Sequence, residues 1–184
     1  VTDVNGCLTS NLITVYEPSA LSGALSGTAV TCNGGSDGEA GIVASGGTAP
    51  YTYAWDDPGS QTNATATGLV AGVYTVLVTG TCGGTYSQPV TVSEPTALTG
   101  TLVGTDVSCN GAGDGSVDLS PAGGTLPYTF AWSSSDTTED LSDMGPGTYV
   151  VTITDACAAT YEDSLTLLEP AVLATSMSST DVSC

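Results

Sequence analysis

The chain has 184 residues, with no Lys, Arg or His against 19 Asp plus Glu, giving a formal net charge of −19. A surface without cations cannot neutralise phosphates, which excludes nucleic acid as a partner and argues against anionic lipid. Histidine acid–base chemistry, histidine metal ligation and side-chain ion pairs are excluded too, so stability must come from burial, backbone hydrogen bonds and covalent staples.

In chain order, residues 1–18 read as the C-terminal end of one repeat, closing on Glu17-Pro18, and residues 19–95 as a complete one. Its first strand is expected over 24–31, running into Cys32-Asn33-Gly34. A second follows the Gly-Ser-Asp-Gly turn, over 40–44. Residues 51–55 alternate, placing Tyr51, Tyr53 and Trp55 on one face. A buried Trp on the third strand is the core anchor of an immunoglobulin-like sandwich. Residues 61–70 supply one or two short polar strands. Leu69-x-x-Gly72-x-Tyr74 has the spacing of a tyrosine corner, and Tyr74, Val76 and Val78 then share a face. Val90 and Val92 mark the last strand, which Glu94-Pro95 ends because Pro cannot continue the ladder. That makes about seven strands per repeat.

Residues 96–170 repeat the pattern. Cys109-Asn110-Gly111 answers Cys32-Asn33-Gly34, and Gly123-Gly124-Thr125 answers Gly46-Gly47-Thr48. The run from Pro127 to Trp132 answers that from Pro50 to Trp55, and Met144-x-x-Gly147-x-Tyr149 answers the corner. The Glu-Pro pairs lie 77 and then 75 residues apart, a difference absorbed in a loop where insertion costs little. Residues 171–184 open a further copy, so the chain reads as an internal fragment of a longer protein. The expected fold is all-β: tandem immunoglobulin-like β-sandwich repeats of about 75 residues forming an elongated rod, with Trp55, Tyr74, Trp132 and Tyr149 in the cores. Neighbouring repeats of the same chain are then its first partners.

A sandwich this small buries little, so the six cysteines matter. They form no C-x-x-C pair, which points to disulfides in an oxidising compartment rather than zinc. The favoured pairing crosses each repeat junction: Cys7–Cys32, Cys82–Cys109 and Cys157–Cys184. Cys82 lies twelve residues before Glu94 and Cys109 twelve after Ala97, as if a hairpin turned at Pro95-Thr96 and the segment beyond folded back onto the preceding repeat. Two alternatives stay open. One pairs Cys32–Cys82 and Cys109–Cys157 within repeats, although the turn and the hairpin tip should lie at opposite poles, too far apart for a disulfide. The other joins Cys32 to Cys157 between distant repeats.

Asn33 and Asp37, with Asn110 and Asp114, are calcium candidates, since they set oxygen ligands beside glycines at short spacing. The competing reading is a β-turn in which Asn and Asp bond their own backbone. Asp56-Asp57 and Glu139-Asp140 are read as solvated loop residues, neither pair having a counterpart in the other repeat. Ser and Thr have no His or Lys to activate them. No catalytic residue and no cofactor other than calcium is expected.

Cys-Asn-Gly-x-x-Asp-Gly, then Gly-Gly-Thr-x-Pro-Tyr-Thr-Tyr/Phe-x-Trp, then Gly-x-Tyr-x-Val and Glu-Pro-x-x-Leu resemble the SprB-type repeat. At the last hairpin, Asp3-Val4-Asn5-Gly6-Cys7 keeps the family's form, while Gly80-Thr81-Cys82 and Asp155-Ala156-Cys157 shorten it. The resemblance implies very large surface proteins of Bacteroidota, including gliding-motility adhesins exported by type IX secretion. It therefore implies an extracellular, cell-surface location and a structural stalk in attachment or gliding. Alternatives are a module binding extracellular polysaccharide or surfaces, for example through Tyr16 or Tyr86, and a fibre or sheath subunit that assembles laterally.

Overall fold

The computed structural model describes residues 4–8, 10–179 and 181, so the pairing expected at Cys184 lies outside the described residues. Among the described residues the regular structure is twelve strands, six in each of two compact units. The first unit contains β1 (Ser22–Thr28), β2 (Gly38–Ser45), β3 (Tyr51–Trp55), β4 (Thr65–Leu69), β5 (Gly72–Gly80) and β6 (Thr85–Val92). The second contains β7 (Thr99–Thr105), β8 (Gly115–Ala122), β9 (Thr129–Trp132), β10 (Leu141–Met144), β11 (Gly147–Thr154) and β12 (Thr160–Leu167).

Each unit is a pair of three-stranded antiparallel sheets. Sheet orders are β1-β2-β4 and β3-β5-β6 in the first, β7-β8-β10 and β9-β11-β12 in the second. Period-two alternation builds both cores. Along β5, Tyr74, Val76 and Val78 are buried while Val73 and Leu77 face out. They meet Ile42 of β2, Trp55 of β3 and Leu69 of β4. The second core gathers Val117, Leu119, Trp132, Leu141, Val151, Ile153 and Leu167. Each fully buried Val, Leu or Ile contributes about 1.5–3 kcal/mol. In both units the chain after the first strand continues along the end of the last: Val30 N–H donates to Ser93 O (2.9 Å) and Val107 N–H to Leu168 O (3.2 Å).

Both tyrosine corners form. Tyr74 Oη donates to Val70 O (3.0 Å) and Tyr149 Oη to Gly145 O (2.9 Å). Trp55 and Trp132 are buried, and their indole N–H groups donate to Asn63 O (2.9 Å) and Thr138 O (3.0 Å). Of the four expected core aromatics, Tyr149 alone is only partly buried.

Six strands replace the expected seven, because residues 56–64 are organised by side chains instead of a ladder. The Asp57 carboxylate accepts from Gly59 N (2.9 Å), Gln61 N (2.9 Å) and Gln61 Nε2 (3.1 Å). Gln61 also exchanges bonds with the Thr67 backbone. Asp57 is therefore buried at 4 % exposure, contrary to the solvated-loop reading. Burial alone would raise its pKa, but the bonds from Gln61 and Gly59 outweigh that and hold it below the usual Asp range. The neighbouring Asp56 is exposed and accepts from Thr75 N (2.7 Å). Ser133 occupies the same place in the second unit, accepting from Val150 N (3.1 Å).

Candidate functional site: a Cys-Asn-Gly turn bonded to a hairpin tip

The segment Thr31–Gly35 lies between β1 and β2 in the chain but packs as part of the second unit. Gly35 N–H donates to Cys32 O (2.8 Å), closing a turn in which Gly34 has φ +72°, a left-handed conformation that glycine adopts without strain. Asn33 Nδ2 donates to Pro95 O (2.8 Å), and the Glu94 carboxylate accepts from Gly34 N (2.7 Å). Glu94-Pro95 thus does more than end a strand: it caps this turn.

The tip that receives the turn joins β11 to β12. Asp155 N–H donates to Ala159 O (3.0 Å), Ala158 N–H to Asp155 O (3.0 Å) and Ala156 N–H to Thr125 O (2.8 Å). The buried Asp155 carboxylate accepts three backbone N–H groups, from Thr125, Cys157 and Ala159, each at 2.9 Å. The Thr125 bond is the chief reason its pKa lies below the usual Asp range, against the opposing effect of burial and with help from Ala159 and Cys157. Against this frame Thr125 Oγ1 donates to Thr31 O (2.9 Å), and Cys32 and Cys157 are joined by a disulfide with a Cα–Cα distance of 5.8 Å.

That bond is the last of the pairings left open by the sequence, and it corrects the others. Cys7–Cys32 and Cys157–Cys184 cannot coexist with it, nor can the alternatives Cys32–Cys82 and Cys109–Cys157. Cys82 and Cys109 are exposed thiols, so the Cys82–Cys109 bond is not formed either. Two physical reasons account for this. Within the first repeat, Cys32 lies near Ser93, beyond the end of β6, whereas Cys82 precedes its start; eight residues at about 3.3 Å each separate the two places. At the junction, the chain after Glu94-Pro95 does not fold back but runs on as β7, whose far end, beside Leu168, carries Cys109 a full strand away.

The calcium candidates are placed as follows. Asn110 Nδ2 donates to Pro170 O (3.2 Å), as Asn33 does to Pro95 O. The Asp114 carboxylate accepts from Ser108 Oγ (2.6 Å) and Ser108 N (3.0 Å), bonds that keep its pKa low. Asp37 is exposed. These are capping bonds of a turn, and among the described residues no group of three or more acidic, Cys or His side chains is gathered as for a metal.

Glu94, Thr125 and Asp155 were not legible as partners of the cysteines. The recurrence of Cys-Asn-Gly with Glu-Pro in both complete repeats was the one available signal. Tyr86, an aromatic read as available for glycan contact, is partly buried and donates to Gly23 O (3.2 Å); Tyr16 is exposed.

The SprB repeat family model matches residues 27–60 and 101–137, each running from the first strand through the Cys-Asn-Gly turn to the Trp strand and its following loop. No curated protein matches the chain. Among solved structures, the four N-terminal immunoglobulin domains of Dscam1 isoform 9.44 align at 13% identity and TM-score 0.40, over 85% of this chain and 47% of that one. The amphioxus IgVJ-C2 molecule aligns at 16% identity and TM-score 0.33, over 66% and 89%. Murine CEACAM1b aligns at 12% identity and TM-score 0.30, over 80% and 100%.

Proposed function

We propose that this chain, which carries two SprB repeats, is a non-catalytic structural segment of an extracellular adhesin, acting as a stalk in surface attachment or gliding. The observation that carries the reading is the interlock itself: a capped turn from one repeat held by a disulfide on a hairpin tip of the next. A disulfide that ties one repeat to the next suits a load-bearing element better than a recognition surface. A chain of −19 without cations also repels its own kind, which favours extended single filaments over lateral assembly.

Against the competing glycan-binding reading, Tyr86, one of its example aromatics, is partly buried, with its hydroxyl against Gly23 O and Gln88 Oε1. Glycan-array and surface-adhesion measurements on the 184-residue chain separate the two. The stalk reading expects no binding in either assay. Saturable binding lost in Tyr16→Ala would replace it with the module reading.

A further inference from the structure

The site just described exists in two further half-copies. The hairpin tip of the first unit repeats the backbone bonds of the receiving frame, without those of the Asp155 carboxylate. Thr81 N–H donates to Thr48 O (2.9 Å), as Ala156 does to Thr125 O, and Gly80 N–H donates to Gly84 O (2.9 Å), as Asp155 does to Ala159 O. Gly47 N–H donates to Ser19 O (2.7 Å), as Gly124 does to Thr96 O (2.8 Å). Thr48 stands where Thr125 stands and Cys82 where Cys157 stands. The place that Thr31–Gly35 takes in the second unit is here an open cavity of about 210 Å³, bordered by Pro18, Gly47, Thr48 and Cys82. Its thiol is exposed.

The other half-copy is the turn at Cys109. Ala112 N–H donates to Cys109 O (3.0 Å) and Gly111 has φ +76°. Asn110 reaches Pro170 O, and Glu169 accepts from Gly111 N (2.9 Å). This is the Cys32 turn again, already shaped and capped, with its thiol exposed beside a concavity of about 440 Å³. Each half already holds the backbone bonds found on its counterpart at Cys32–Cys157.

We propose that these are two halves of one joint: the tip at Cys82 receives the Cys-Asn-Gly turn of a further SprB repeat preceding it in line, and the Cys109 turn enters the tip of a repeat following it. The rule is turn of one repeat to tip of the next, giving one disulfide per junction. Each bond forms when two thiols surrender two electrons and two protons to a disulfide oxidant; oxidised glutathione serves, leaving two reduced molecules. The inference rests on the repeat and the observed bond, and is independent of what the protein adheres to.

The test lengthens the whole chain by one repeat, placing directly after Pro170 a second copy of residues 96–170 that carries Cys109→Ser and, as a mass label on its Cys157 peptide, Thr160→Ser. After refolding in a glutathione redox buffer, non-reducing peptide mapping should find Cys109 linked to Cys157 of the added copy, alongside Cys32–Cys157. A Glu169→Ala version should lower the yield of the new bond several-fold and leave Cys32–Cys157 in place. Cys109 left as a thiol, or linked to Cys82, overturns the proposal. Loss of the Cys32–Cys157 peptide from the same digest removes the pairing rule altogether, whereas adhesion results bear on neither outcome.

Discussion

The hairpin tips of the two units share one backbone frame and close it with different chemistry. In the first, Gly80-Thr81-Cys82-Gly83-Gly84 is held by backbone bonds and by Thr81 Oγ1, which donates to Pro50 O (3.1 Å); a Cβ on Gly80 would come within 2.9 Å of Thr48 O. In the second, Asp155 replaces that glycine, and its carboxylate gathers three N–H groups from the Gly-Gly-Thr loop and from the tip itself. Ala158 replaces Gly83 and takes φ +61° where the glycine has +83°. The tip that holds a partner turn is thus the more heavily tied, yet it carries the less comfortable backbone. The shared frame presents the cysteine, while the residues around it set how firmly the tip is held.

Breaking the disulfide should separate the two tips most. Its partners are 125 residues apart, and closing a loop that long restricts the unfolded chain by about 5 kcal/mol. Each unit has one tryptophan, so urea unfolding can be followed through Trp132 in a Trp55→Phe background. Cys157→Ser should shift the Trp132 transition strongly towards lower urea. Cys82→Ser should change stability by no more than about 0.5 kcal/mol. Equal effects would erase the distinction.

Removing the carboxylate cap comes next. Asp155→Ala leaves three backbone donors without their acceptor, so the Trp132 transition should move to lower urea, by less than for Cys157→Ser. The same group gives the second tip an acid response. Its folded pKa is depressed, so its contribution is present above the ordinary Asp value of about 3.9 and is lost as pH falls through the lower folded value. Acid titration of Asp155→Ala should be flatter over that window than that of the parent.

The smallest effect concerns the backbone. Ala158→Gly relieves a left-handed alanine and should stabilise the second unit by about 0.5–1 kcal/mol, while Gly83→Ala should cost the first about 1 kcal/mol. Chelation with EGTA should leave both transitions where they are, since Asn33, Asn110 and Asp114 are engaged in capping their turns.

Much of the sandwich was readable from alternation: Tyr51, Tyr53 and Trp55 on one face, Tyr74, Val76 and Val78 on another, with Gly72 two residues before the corner tyrosine. These patterns are local, and period two assigns them without knowledge of distant contacts. The burial of Asp57 was not readable, because a carboxylate in a loop looks the same whether water or Gln61 satisfies it. Nor could the spacing around Glu-Pro decide the disulfide. It is symmetric about the junction, so it fits a folded-back strand as well as a strand that runs on. What separates them is that β7 pairs with β8 and carries Cys109 to the far pole, a fact of tertiary pairing.

The most direct test of the account is non-reducing peptide mapping of the oxidised 184-residue chain, with free thiols alkylated first. The predicted result is a Cys32–Cys157 linked peptide, with Cys82 and Cys109 both alkylated. A Cys32–Cys82 peptide, or Cys82 joined to Cys109 within one chain, would contradict it.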